Sequence, residues 1–286
     1  MRVILKLWLS FLGILMPPVS AEEAVSPFRV TSYEGGGGGL SFVYVHGVYH
    51  GGWSFDRLHP LLGSRAVNQY VVDLRGHYGA HRVQADDDIG YEDYFEDLID
   101  ALDEIPGEKL LIGHSLGGLL SMSALSREDV TGAVLLATPL PEIIRAKRWG
   151  LLFRYPLKSM KMIFGRDAAS FYHNKAWAKR YFFSKSTPSF IFEEAFKNIT
   201  LQNEPFKLFD DINSLRIDVK NVNKPVMVVA GGEDPTVDVR AANLLANQFQ
   251  VDPEIIAGAG HDLMLEPQYA EQIAGLIKLW LTKQGL

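Results

Sequence analysis

Short apolar runs alternate with segments of helical spacing along most of the chain. The runs that predict strands are Phe28–Tyr33, Ser41–Val45, Tyr70–Asp73, Lys109–Ile112, Thr131–Ala137, Pro225–Ala230 and Glu254–Ile256. The segments that predict helices are Trp53–Leu62, Tyr91–Ile105, Leu116–Leu125, Val237–Phe249 and Tyr269–Leu281. This alternation is typical of an α/β fold whose parallel sheet has helices on both faces, because parallel strands need long crossover connections.

The alternation stops between residues 142 and 215, where the chain is aromatic-rich and only loosely periodic. We interpret this stretch as a helical cap inserted between two strands of the sheet. The predicted division is therefore a core over 22–141, a cap over 142–215 and a second part of the core over 216–286. The glycine run Gly35–Gly39 lacks the Gly-Lys-Ser/Thr ending of a phosphate-binding loop and is expected to be a plain connection.

The first 21 residues have the organisation of a secretory signal peptide. Arg2 and Lys6 precede an apolar stretch over Leu7–Met16, and Val19-Ser20-Ala21 offers small residues for cleavage after Ala21. The protein is accordingly expected to be secreted or periplasmic. The alternative is an uncleaved N-terminal membrane anchor.

The net charge and the absence of cysteine exclude several classes of partner and of active site. The formal net charge of −6 gives no electrostatic reason to expect a nucleic-acid partner. The chain has no cysteine, which excludes disulfides, thiolate nucleophiles and cysteine-bound metals.

The most specific motif is Gly113-His114-Ser115-Leu116-Gly117, which lies between a predicted strand and a predicted helix. This is the context of a G-x-S-x-G nucleophile elbow, in which a sharp turn exposes the serine at the carboxyl edge of a sheet. The helix start behind Ser115 favours negative charge. A chance serine in a glycine-rich turn is the structural alternative.

A serine nucleophile needs a general base that is itself held by a carboxylate. Asp234 and His261 each follow a late strand, so both are expected at the sheet edge that carries Ser115. Asp238 and Glu142 are weaker candidates for the acid, because Asp238 should lie inside a helix and Glu142 follows an earlier strand. Asp234 could alternatively cap the next helix.

An oxyanion hole requires two backbone N–H groups that point at the developing charge. Leu116 directly follows the nucleophile, and Val48 lies in the loop after the Ser41–Val45 strand, so these two residues are the predicted donors. The i, i+4 pairs His46/His50 and His77/His81 could suggest a metal on a helix, but both pairs lie in glycine-flanked loops. We expect neither a metal nor an organic cofactor.

These motifs make the chain resemble an α/β-hydrolase over nearly all of its predicted mature length. The segment Phe42–Trp53 (FVYVHGVYHGGW) and the segment His261–Pro267 (HDLMLEP) are similar to the methylesterase and hydroxynitrile lyase group and to related bacterial hydrolases. The resemblance implies Ser115 as nucleophile, His261 as base, Asp234 as orienting acid, and Val48 and Leu116 as oxyanion donors. Plant members of that group are usually cytosolic, whereas this chain carries an export signal, and the cap has no match in the group.

The sequence thus predicts an exported serine hydrolase that acts on small carboxylic esters. A cyanohydrin lyase and a non-catalytic binding protein on the same fold are the alternatives. The stretch from Arg145 to Lys185 contains eleven lysines and arginines but a single acidic residue, Asp167, and many aromatic residues lie between them. This part of the cap is either a lid that contacts an anionic lipid surface or a solvated basic face above an apolar one.

Overall fold

The computed structural model describes residues 26–33, 35, 39–64, 67–78, 80, 82–145, 166 and 168–286. The predicted signal peptide, glycines 36–38 and residues 146–165 of the predicted cap lie outside this range. Among the described helices, none combines the length and apolar character needed to span a membrane.

A single sheet organises the described part of the chain, with the strand order β1-β3-β2-β4-β5-β6-β7. Its strands are β1 (Arg29–Tyr33), β2 (Leu40–Val45), β3 (Val67–Asp73), β4 (Glu108–His114), β5 (Val130–Leu136), β6 (Val226–Gly231) and β7 (Glu254–Ile256). The edge strand β1 is antiparallel to β3, and all other neighbours are parallel. The predicted mostly parallel sheet is therefore confirmed.

The helices are α1 (His59–Leu62), α2 (Tyr91–Glu104), α3 (Leu116–Ala124), α4 (Ala169–Tyr172), α5 (Lys175–Phe182), α6 (Ser189–Ile199), α7 (Phe206–Ser214), α8 (Val239–Gln248) and α9 (Pro267–Gln284). A further helical turn begins at residue 141. One face of the sheet packs against α2, α3 and α8, and the opposite face packs against α1 and α9.

The inner strands are apolar at nearly every position because both faces of the sheet are covered. In β2, Val43 and Val45 point to the side of α2 and α3, whereas Phe42 and Tyr44 point to the side of α1 and α9. All four side chains are at most 2% exposed. Burial on this scale stabilises a fold by about 1.5–3 kcal/mol per large side chain.

The single helix predicted over Trp53–Leu62 is wrong in detail. The segment forms a 3₁₀ turn at Gly52–Phe55 and then the short α1, which has Pro60 in its first turn. Proline has no N–H to donate and clashes with the carbonyl one turn earlier, so a continuous helix cannot pass through this position.

A helical insertion between β5 and β6 is present, as predicted, and comes before the strand that carries Asp234. Its described helices are the helical turn that begins at residue 141 and α4 to α7. Helix α7 packs against α2, where Asp211 Oδ2 accepts a hydrogen bond from Tyr91 N–H at 3.1 Å. The domain limits at 22, 142 and 216 remain predictions.

Candidate active site

Ser115 occupies the sharp turn between β4 and α3. Its backbone has φ +51° and ψ −112°, a conformation that non-glycine residues rarely adopt. A Cβ on Gly117 would lie 2.0 Å from the Val45 carbonyl oxygen. Only glycine at this position lets α3 begin so close to β2, and this approach brings the serine to the sheet edge.

The structure brings Ser115, His261 and Asp234 together. His261 Nε2 lies 3.1 Å from Ser115 Oγ, and His261 Nδ1 lies 2.8 Å from Asp234 Oδ2. The three residues are 8%, 1% and 4% exposed, respectively. A serine, an imidazole and a carboxylate in this order can move a proton from the hydroxyl to the imidazole, with the carboxylate setting the tautomer.

The second carboxylate oxygen of Asp234 holds the loop that carries it. Asp234 Oδ1 accepts hydrogen bonds from Thr236 N–H at 2.6 Å and Val237 N–H at 2.8 Å. The rival Asp238 is the N-cap of α8, where it accepts from Ala241 N–H, and so lies at the start of the helix rather than inside it. The other rival, Glu142, is exposed at the surface.

The predicted oxyanion donors lie beside the nucleophile. A Cβ on Gly47 would be 3.0 Å from Ser115 Cβ, so the loop with Val48 runs alongside the serine. Among the described residues, no hydrogen-bond acceptor is found for Val48 N–H. Leu116 is the first residue of α3, and an N–H at this position has no partner within its helix.

Two buried histidines flank this loop in the neutral form. His46 Nδ1 donates to the Gly47 carbonyl at 2.9 Å, and its Nε2 accepts from Leu74 N–H at 3.1 Å. Burial, reinforced by His77, lowers the pKa of His46 well below its usual value. Burial, reinforced by His261, does the same to the pKa of His114.

His114, which precedes Ser115, contacts His261 directly. Its ring lies 4.9 Å from that of His261, and its Nε2 donates to the His261 carbonyl at 3.2 Å. This contact steadies the backbone of the base.

A second histidine–carboxylate pair, which sequence reasoning missed, lies next to the triad. His50 Nδ1 donates to the Val48 carbonyl at 2.7 Å, and its Nε2 lies 3.0 Å from Asp262 Oδ2. Both His50 and Asp262 are buried. The one available signal was that Asp262 directly follows His261.

Glu204, from the cap segment between α6 and α7, was also missed and has no local sequence signal. It is 1% exposed. Its carboxylate accepts from Tyr49 N–H at 2.9 Å and Tyr94 OH at 2.5 Å, and lies 3.0 Å from His77 Nε2. Burial lowers the pKa of His77, but Glu204 together with the Arg75 carbonyl and Asp73 outweighs this effect, so the pKa is raised.

Among the described histidines, His46 and His50 do not form the helical metal pair that their spacing suggests, because neither lies in a helix. His46 and His50 make separate contacts with backbone carbonyls, His77 faces Glu204, and His81 lies outside the described residues.

One group in the described chain has ligand atoms close enough to surround a metal ion. Atoms of His114, His261 and Asp262 lie within 4.8 Å of one another. Both ring nitrogens of His261 already contact Ser115 and Asp234. The geometry therefore suits proton transfer better than metal binding.

The chain has clear relatives. The model described as "Alpha/beta hydrolase family" matches residues 42–275. Probable esterase PIR7A of Oryza sativa subsp. indica is 36% identical over 135 residues, which cover 46% of this chain and 50% of that protein. Salicylic acid-binding protein 2 of Nicotiana tabacum is 31% identical over 110 residues, which cover 37% of this chain and 42% of that protein. The chain thus spans about half the length of the curated relatives it matches.

A similar solved structure is a thermophilic esterase from Thermogutta terrifontis with malate bound. It covers 90% of this chain and 93% of its own, with a TM-score of 0.65 and 18% identity. At this identity the likeness concerns the fold.

Proposed function

Since the chain belongs to the alpha/beta hydrolase family, we propose that it is a serine hydrolase that cleaves carboxylic esters. The observation that carries the proposal is the unbroken hydrogen-bonded series from Ser115 through His261 to Asp234. The similarity to a probable esterase of rice supports an ester as the substrate.

The proposed reaction begins when His261 Nε2 takes the hydroxyl proton of Ser115 and Oγ attacks the ester carbonyl carbon. The carbonyl oxygen becomes an oxyanion that the N–H groups of Val48 and Leu116 stabilise. His261 then gives its proton to the leaving alcohol, and an acyl-serine remains. Water attacks this acyl-enzyme by the same route and releases the acid, while Asp234 keeps the imidazole oriented.

The test combines labelling with substrate turnover. A fluorophosphonate probe should label wild-type protein at Ser115, and p-nitrophenyl esters and thioesters of increasing chain length should define the acyl preference. Ser115→Ala should remove labelling and lower turnover by about a million-fold without unfolding the protein. Near-normal ester hydrolysis in a pure Ser115→Ala preparation contradicts the mechanism.

The two alternatives give different results in the same assays. A cyanohydrin lyase would release aldehyde and cyanide without forming an acyl-enzyme. A non-catalytic binding protein would turn over neither substrate class, although the intact triad argues against it.

We also propose that the protein is exported and that the basic part of its cap contacts anionic lipid, both on the basis of the sequence. Of the described cap lysines, Lys175 pairs with Glu193 at 2.7 Å and Lys179 lies 5.5 Å from the Phe192 ring. Each cation near an anionic surface contributes about 1 kcal/mol, and salt screens this contribution.

Vesicles of phosphatidylglycerol, compared with phosphatidylcholine, test the lipid contact at low and high salt. Binding should fall with salt and in a variant that replaces Lys158, Lys161, Lys175 and Lys179 by Gln, while hydrolysis of a small soluble ester stays unchanged. Binding that is indifferent to both changes identifies a solvated basic face instead.

A further inference from the structure

We propose that Glu204, a cap residue, is a positioning residue that holds the oxyanion-hole loop in its hydrogen-bonding geometry. The proposal rests on the serine hydrolase function proposed above. Glu204 does not reach the triad, so its effect on catalysis must pass through the backbone that it contacts.

The contacted backbone is strained. Tyr49 follows the predicted donor Val48 and has φ +59°, in the left-handed region that bulky residues avoid. Its side chain is fully buried. A strained residue keeps such a conformation only where its surroundings impose it.

One peptide group is held at both ends. The Val48 carbonyl and the Tyr49 N–H belong to the same planar unit. Glu204 Oε1 accepts from this N–H at 2.9 Å, and His50 Nδ1 donates to this carbonyl at 2.7 Å. The peptide cannot flip without breaking both hydrogen bonds.

The preceding peptide, which carries the Val48 N–H, is held in a similar way. The Gly47 carbonyl accepts from His46 Nδ1 at 2.9 Å and from His50 N–H at 3.2 Å. Of the described hydrogen bonds to these two peptides, the one to Glu204 comes from the cap. Because Tyr49 N–H already donates to Glu204, Val48 N–H is the group left to donate to the oxyanion.

The Tyr49 side chain makes a second link to the cap. Its ring lies 4.7 Å from Tyr172 and 6.4 Å from Phe209, both of which are cap residues. Tyr172 in turn stacks on Phe182 at 5.6 Å, and Phe182 stacks on His261 at 6.0 Å. The cap is thus packed against both the oxyanion loop and the base.

Three substitutions at Glu204 distinguish the effect of its side-chain length from the effect of its negative charge. Gln keeps an oxygen at the length needed to accept from Tyr49 N–H but loses the charge. Asp keeps the charge that pairs with His77 but shortens the side chain by one methylene group. Ala removes both.

If Glu204 positions the loop, turnover should rank wild type, Gln, Asp and Ala in descending order. We expect kcat for p-nitrophenyl acetate within about fivefold of wild type for Glu204→Gln, and about 10- to 100-fold lower for Glu204→Ala, short of the full loss of an oxyanion donor. KM should change by less than about threefold, because the oxyanion forms after the substrate is bound. A purely electrostatic role, through the pair with His77, predicts that Asp is the better replacement.

A trifluoromethyl ketone provides the second readout, since it forms an oxyanion on Ser115 without turnover. Its inhibition constant should weaken by the same factor as kcat across the series. Tyr94→Phe is the matched control, because it removes a hydrogen bond to Glu204 and leaves Tyr49 N–H in place. Its kcat should stay near that of wild type.

The rate of fluorophosphonate labelling keeps the test independent of the natural substrate. If wild type and Glu204→Ala are labelled at the same rate, the positioning role is wrong, although the hydrolase proposal stands. The same conclusion follows if Glu204→Asp has a higher kcat than Glu204→Gln. Should Glu204→Ala fail to fold, the Gln–Asp comparison decides. Wild type that is neither labelled nor active overturns the hydrolase proposal as well.

Discussion

Asp234 uses its two carboxylate oxygens differently. One oxygen faces His261, and the other accepts two N–H groups of its own loop. The same side chain therefore makes both the loop-capping contacts and the contact with His261 that the two interpretations of its sequence position predict. The Asp238 carboxylate, four residues later, caps α8 by accepting from Ala241 N–H.

Substitution by asparagine should lower kcat at Asp234 but not at Asp238. Asp234→Asn is expected to lower kcat by about ten-thousand-fold, because the amide favours the wrong tautomer of His261. Asp238→Asn should leave kcat unchanged, since asparagine is an equally good N-cap. Steady-state kinetics on a soluble ester decide the matter, and a crippled Asp238→Asn with an active Asp234→Asn would reverse the assignment.

The buried neutral histidines make the fold sensitive to acid. The pKa of His46 is well below its usual value in the folded protein because of burial and the nearby His77. Below about pH 6.5 the unfolded chain takes up a proton that folded His46 does not, so the free energy of unfolding falls as the pH falls. The raised pKa of His77 works in the opposite direction over a higher pH window.

His46→Gln isolates this effect, because glutamine can still accept from Leu74 N–H but does not titrate. Between pH 7.5 and 5.5 the variant should lose about 1 kcal/mol less stability than wild type. Urea unfolding at the two pH values measures the difference. Equal losses in the two proteins would show that His46 is not the acid-sensitive group.

At the scale of elements, the nucleophile depends on the close approach of β2, β4 and α3. This approach places Gly47 beside Ser115 and Gly117 against the Val45 carbonyl. By contrast, a Cβ on Gly275, inside α9, would meet no atom within 4 Å.

The same substitution at these two helical glycines should have opposite effects. Gly117→Ala forces a Cβ against backbone and should cost about 3 kcal/mol or more, together with most of the activity. Gly275→Ala should stabilise the protein by about 0.5–1 kcal/mol with unchanged kcat, since it removes only the entropy cost of a helical glycine. Thermal unfolding and ester turnover of both variants test this, and a stable, active Gly117→Ala would refute the elbow packing.

At the scale of the whole molecule, the cap connects distant parts of the chain. Helix α7 packs on α2 at the Tyr91–Asp211 contact, and Glu204 reaches the loop after β2.

Cleavage after Ala21 should leave a mature chain that starts at Glu22. N-terminal sequencing of protein from the native host should give Glu22, and the protein should be recovered outside the cytoplasm. A protein that starts at Met1 in the membrane fraction would indicate the anchored form.

The local pattern of residues was sufficient to predict the sheet, its helices and the elbow. Strand and helix periodicity are local properties, so the elements can be predicted from short segments. A triad on this fold follows the ends of strands in a fixed chain order, so Ser115, Asp234 and His261 could be proposed from the sequence. Local rules also have local failures, as when Pro60 broke the helix predicted across it.

Contacts between residues far apart in the chain were decided only by the tertiary structure. Glu204 lies 155 residues from Tyr49, and Asp262 lies 212 residues from His50. A buried carboxylate is stable only where several polar groups converge on it, and those that contact Glu204 come from the loops after β2 and β3 and from α2. No spacing along the chain records that convergence, so the supports of the oxyanion loop became visible only in the folded protein.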